Sequence, residues 1–316
     1  MFEGSELELP LTNRNGSRVT GGLAITNHAD GAHDNSILID GEDVNGDLPG
    51  CIKLAVTNTS GGAALRTLIV ALNVNSNPIG FEPVFEAETG AGGVTTPSST
   101  CSGGGYKALS WTGSDEVELL SWVMNAARVQ DAGGNAFRFL LRLAGAVSYL
   151  DLWLRLRVKG GTGDSVVGET DWAPVKAGDG LQELGPLPLP PGSLPPGATG
   201  MPLKLVLVAR RQSAGSHALN LDYLALLAVD GFRRYQAVVP LPVTGQLVDD
   251  PLGVVASYQS GSGWLATHLA LGAPLELEPG VSQRLSFFHD EEGGLAPVER
   301  SLSVRAWFRP RRCLPL

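Results

Sequence analysis

Hydrophobic and polar positions alternate with period two along many short segments of this chain. The clearest is residues 149–159, where Leu150, Leu152, Leu154, Leu156 and Val158 fall on one side and Asp151, Trp153, Arg155, Arg157 and Lys159 on the other. Because successive side chains of a strand point to opposite faces, this predicts a β-strand with one face in a core and the other wet or partnered. Comparable runs occupy residues 106–111, 117–124, 136–144, 165–171, 181–184, 202–211 and 218–228, making eight strands between residues 81 and 232, a number that suits a jelly roll.

Before them lie runs at 6–11, 18–27, 36–40, 52–58 and 66–73, and after them runs at 235–241, 254–258, 264–271, 275–277, 283–289 and 300–309. The apolar stretch Leu68-Ile69-Val70-Ala71-Leu72 reads as a strand buried on both faces, with a short buried helix as the alternative. The predicted fold class is therefore all-β, made of jelly-roll or β-sandwich domains, with parts at 1–80, 81–232 and 233–316. The first and last parts complete one sandwich into which the middle jelly roll is inserted, or the last part is a third domain. A boundary is expected at Asn75-Ser76-Asn77-Pro78, and Glu292-Gly293-Gly294 reads as a turn. The segment from Leu187 to Gly197 is so rich in proline, which lacks a backbone donor, that it predicts an exposed loop or edge connection reaching a neighbour.

Composition sharpens this picture. The 41 glycines and 21 prolines act as turn punctuation between strands. Charged residues make up 17% of the chain, below the ~25% usual for soluble domains. That leaves surface to be covered by uncharged groups or by other subunits, so self-association is expected. A formal net charge of −9 repels phosphate and argues against nucleic acid as a partner. The most apolar stretch, residues 137–156, is broken by Arg138, Arg142, Asp151 and Arg155, so no membrane span is predicted. The acidic start Met-Phe-Glu-Gly-Ser-Glu does not read as a signal peptide. An all-β, glycine-rich chain made without an export signal fits a virion protein, which lysis rather than secretion releases.

Candidate chemistry is sparse. His28, Asp30, His33 and Asp34 could meet a metal only if their loop curled, and their spacing equally describes a polar turn. The acidic loop Asp40–Asp47 is dense in oxygen ligands but lacks the order of an EF-hand. Cys51, Cys101 and Cys313 form no Cys-x-x-Cys pair and read as free thiols. The five histidines, His28, His33, His217, His268 and His289, are scattered, no Gly-x-Ser-x-Gly elbow is present, and Gly103-Gly104-Gly105 precedes a strand rather than a helix. A non-enzymatic protein is expected. Of the aromatic residues Tyr106, Trp111, Trp122, Trp153 and Trp172, most read as core; Trp153 on the polar side of its strand and Trp172 beside Asp171 are the candidate glycan-stacking residues.

Residues 81–232 resemble the jelly-roll carbohydrate-binding modules: Phe85-Glu86-Ala87-Glu88 is similar to their opening strand, Ser102-Gly103-Gly104-Gly105-Tyr106 to the glycine-rich turn after it, and Leu219–Leu226 to their closing strand. The resemblance implies a structural calcium at Glu86 and Glu88 and a cell-surface glycan as ligand. Gly46–Gly50, Lys53–Asn58, Gln283–Phe287 and Leu302–Arg312 resemble segments of structural proteins of tailed bacteriophages. That likeness implies a tail, baseplate, fibre or capsid-decoration protein that contacts its own copies and neighbouring virion proteins. The alternative is a stand-alone carbohydrate-binding module or adhesin.

Overall fold

The computed structural model describes residues 2–13, 15–26, 35–59, 64–72, 83–125, 129, 135–145, 147, 149–160, 164–176, 178, 180–190, 202–251, 255–291 and 301–313. The His28–Asp34 loop, the boundary at residues 75–78, the turn at 292–294 and the proline-rich arm at 191–201 lie outside them. The protein is all-β and folds into two compact units. Met1–Val74, Asp230–Glu292 and Glu299–Leu316 make the first; Asn75–Val229 and Gly293–Val298 make the second.

The second unit has two antiparallel sheets. One orders the strands Val94–Pro97, Gly105–Thr112, Ser216–Ala228, Ala136–Leu143 and Leu181–Pro188, with Val84–Glu86 also pairing on Ser216–Ala228. The other orders Val117–Met124, Leu203–Arg211, Leu152–Gly160 and Ser165–Glu169, with Ala173–Pro174 added to Leu152–Gly160. Alternation places Leu152, Leu154, Leu156 and Val158 wholly in the core, facing Phe139, Leu141, Leu224 and Leu226 of the opposite sheet.

Two local readings need correction. Leu150 is not on that core face; it precedes the strand and is 90% exposed, while its neighbour Asp151 is bound by Arg211 and Ser213. The Leu181–Pro188 strand runs into the proline-rich segment, carrying Pro186 and Pro188 in register with Arg138 and Ala136. It sits at a sheet edge, where a missing donor leaves no ladder partner unsatisfied.

In the first unit, segments from both ends of the chain interleave. Leu65–Leu72 lies between Phe232–Leu241 and Gln283–Glu291, and Gly50–Asn58 between Ser301–Phe308 and Gly245–Asp249. Leu68 to Leu72 form the strand rather than the helix alternative. The run at 264–271 is two strands: Gly263–Thr267 edges one sheet and Leu269–Leu271 the other, parted only by His268. A buried contact set bridges the sheets, with Arg233 Nη2 donating to Asp249 Oδ1 at 2.8 Å and the Tyr235 hydroxyl to Asp249 Oδ2 at 2.6 Å.

Candidate functional site

In the second unit, the strands Val84–Glu86 and Gly105–Thr112 pair along the same side of Ser216–Ala228, the first at Tyr223–Ala225 and the second up to Leu221. Asp222 stands between them. On its other side the register against Ala136–Leu143 steps from Tyr223 to Leu221, so Asp222 is the extra residue of a β-bulge, a device that re-aims a side chain. Two short 3-10 turns, Ala87–Thr89 and Ser102–Gly104, lie in sequence between these paired strands.

The result is a convergence of carboxylates. Ser102 Oγ donates to Glu86 Oε1 at 2.7 Å, and Trp122 Nε1 donates to the Glu86 carbonyl at 2.9 Å, tying the start of the turn to the core. Gly103 has φ +66°, a left-handed conformation that disfavours any side chain. A Cβ there would lie 1.9 Å from Glu88 Oε1 and 3.2 Å from the Glu86 carboxyl carbon, so the bare glycine makes a cradle that the two carboxylates enter. Asp222 is buried, its Oδ1 has no hydrogen-bond partner, and neither has the buried Oε2 of Glu88.

Burial, followed by the nearby Glu86 charge, pushes the Asp222 carboxyl well above the usual range; Arg142 and the Ser102 amide offset part of this. Burial raises Glu88 as well. The Cys101 thiol is pushed up to about 11 by burial and then by Asp222. Such a cluster of hard oxygen donors, two with orphaned atoms, suits a cation of the calcium type. Among the described residues no group of three His, Cys, Asp or Glu side chains is placed to hold an ion by itself. The sequence brought Glu86 and Glu88 into view; Asp222 was missed, although a lone acid in the apolar run Leu219–Ala228 was its signal.

Trp153 and Trp172 share Arg210 on the outer face of the second unit's other sheet. Ala173 and Pro174 pair beside Trp153 and Leu154, which brings Trp172 alongside. Arg210 lies 5.8 Å from the Trp153 ring centre and 4.3 Å from that of Trp172, and Arg155 lies 4.4 Å from Trp172. Trp172 is therefore stacked by two guanidinium groups and Trp153 approached by one, both rings being half-buried. Next to them Arg155, Arg157 and Lys159 pair with Glu116, Glu118 and Glu169. Trp111 and Trp122 are core residues.

The other candidates among the described residues are held in contacts within the protein. In the Asp40–Asp47 loop, Arg18 pairs with Asp40 and Asp43, and Asp47 accepts from the Cys313 amide at 3.0 Å. The three cysteines are free thiols. His268 Nε2 lies 2.7 Å from Ser257 Oγ, but that hydroxyl is fully buried where no substrate carbonyl could reach it, and His268 Nδ1 has no partner to orient the ring.

No family model and no curated protein matches this sequence. Among solved structures, the chain is similar to a family 35 carbohydrate-binding module from Clostridium thermocellum, at 19% identity over 46% of this chain and 98% of that one, with a TM-score of 0.31. It is also similar to a carbohydrate-binding module of the β-sandwich superfamily, at 12% identity over 71% of this chain and 86% of that one, TM-score 0.32. The VP2 subviral particle of infectious bursal disease virus matches at 9% identity over 98% of this chain and 82% of that one, TM-score 0.26. Likenesses this distant speak at most of fold.

Proposed function

We propose that the chain is a non-enzymatic structural and binding protein whose second unit is a cation-stabilised jelly roll that engages a cell-surface glycan. The observation that carries this reading is the gathering of acids at a strand junction, Glu86 and Glu88 at the Gly103 cradle with the buried Asp222 near them, a place where an oxygen-coordinated cation would stiffen a fold rather than perform chemistry. The face that would meet a sugar is the one holding Trp153, with Arg210 as a donor to hydroxyls. A glycan array probed with the full chain in calcium is the test. Binding that is lost in Trp153→Ala supports it, and no binding to any glycan counts against it.

The setting that fits is a phage particle, in the tail, baseplate, fibre or capsid decoration, where copies of the chain pack against one another. What favours assembly is apolar residues on sheet edges: Leu269 and Leu271 in the first unit, Val166 and Val167 in the second, all exposed. Oligomers by light scattering and the chain's presence in purified particles by mass spectrometry are expected. A strict monomer absent from any particle overturns this setting while leaving glycan binding to its own test.

A further inference from the structure

The outer face of the first unit's Gly50–Asn58 sheet carries a second feature. Cross-strand register lines up Ala55, Val248, Ala256 and Thr267 in one row, so small side chains form a floor. One neighbouring row holds Thr57, Gln246, Tyr258 and Trp264; toward the opposite side Lys53 pairs in register with Trp307, and Asp250 joins them. Low residues between tall ones make a trough, and a cleft of about 610 Å³ opens there, within the range of small-molecule sites.

Trp264 forms one wall and is 75% exposed. It is nevertheless held in place. Tyr258 meets its ring at 5.6 Å and 70°, the Tyr258 hydroxyl donates to Gln246 Oε1, and Gln246 Nε2 donates to Thr57 Oγ1 at 2.9 Å. An exposed tryptophan propped by a hydrogen-bonded chain across three strands is a platform built before its ligand arrives. At the other wall the Lys53 ammonium lies 3.3 Å from Glu6 and 3.6 Å from Asp250, and Arg305 is paired with Glu8. Arg309 also pairs with Glu6, so the three cations Lys53, Arg305 and Arg309 match the three anions Glu6, Glu8 and Asp250, and the trough offers donors and acceptors without a net field to attract an ion.

We infer that this trough is a binding site for a neutral saccharide. The apolar face of a pyranose ring stacks on Trp264 over the Ala256 and Val248 floor, and its hydroxyls reach Lys53 and Asp250, a donor beside an acceptor. The site belongs to the first unit and does not depend on the glycan reading of the second.

The test is titration of the full chain with cellohexaose, xylohexaose, mannohexaose and β-1,3-galactotriose, followed by calorimetry and tryptophan fluorescence. At least one of these neutral probes binds, and Trp264→Ala, at an exposed position that leaves the melting temperature unchanged, weakens it about tenfold or more. Trp153→Ala leaves that binding intact. No binding of any of the four up to about 10 mM, or binding equal in Trp264→Ala and the native chain, overturns the assignment.

Discussion

Each unit buries an aspartate, and the two do so in opposite ways. Asp249 of the first unit receives Arg233 and Tyr235, so both its oxygens are satisfied and its charge is matched. Asp222 of the second is placed by a bulge beside Glu86 and Glu88, with one oxygen orphaned and its pKa driven up. A matched buried ion pair is a piece of architecture. A cluster of like charges at a strand junction, offset only in part by Arg142 and Lys107, favours protons or a bound cation, which makes it the more informative of the two about function.

The sharpest way to break this contrast is Asp249→Ala. It strands the Arg233 guanidinium, buried at 9% side-chain exposure, and leaves Tyr235 without its acceptor. A loss of about 3–5 kcal/mol is expected in urea unfolding, with or without calcium. A loss near zero would mean that the pair is not the clasp described.

The strands were legible because period-two patterning survives where one face is core, as in Leu152–Gly160; residues 117–124 read directly from the sequence, and 136–144 was read one residue too long. Leu150 misled because alternation continues past the point where pairing begins, and pattern alone does not mark that end. In the site, Glu86 and Glu88 were recognisable from their local motif. Asp222 was not, because its place near them depends on a bulge and on two other strands pairing beside it. That Arg155 and Arg210 stack on Trp172, a candidate glycan-stacking residue, was not legible because they come from different strands. The trough around Trp264 was equally hidden, being assembled from five strands whose register no local pattern states.

Calcium sharpens the contrast next. At a hundredfold excess over its dissociation constant it is expected to stabilise the protein by about 2.7 kcal/mol in thermal or chemical unfolding. Glu88→Gln should remove most of that gain. Gly103→Ala keeps every carboxylate, yet its Cβ would fill the cradle and its φ would cost about 1–2 kcal/mol, so the calcium response should vanish there too. A full response in both variants would place the ion elsewhere.

The smallest expected effect is in the pH dependence of the calcium-free chain, and its sign follows from the direction of each shift. Glu88 and Asp222 have folded-state values above their ordinary ones, so the folded protein holds more protons; stability is lost as pH rises through the folded values and recovered as it falls. His268, lowered by burial, opposes this as pH falls through the imidazole range. Asp151, held to about 2 by Ser213 and then Arg211, contributes stability above the ordinary carboxylate value that is lost only as pH drops toward about 2. The comparison that isolates the cluster is therefore native chain against Asp222→Asn between about pH 8 and pH 5. The native chain should gain melting temperature on acidification relative to the variant, about 2–4 °C for each kcal/mol recovered. Saturating calcium should reverse the slope, because protons then compete with the ion for the same oxygens. Parallel curves for native and variant, with calcium and without, would show that Asp222 is as quietly satisfied as Asp249.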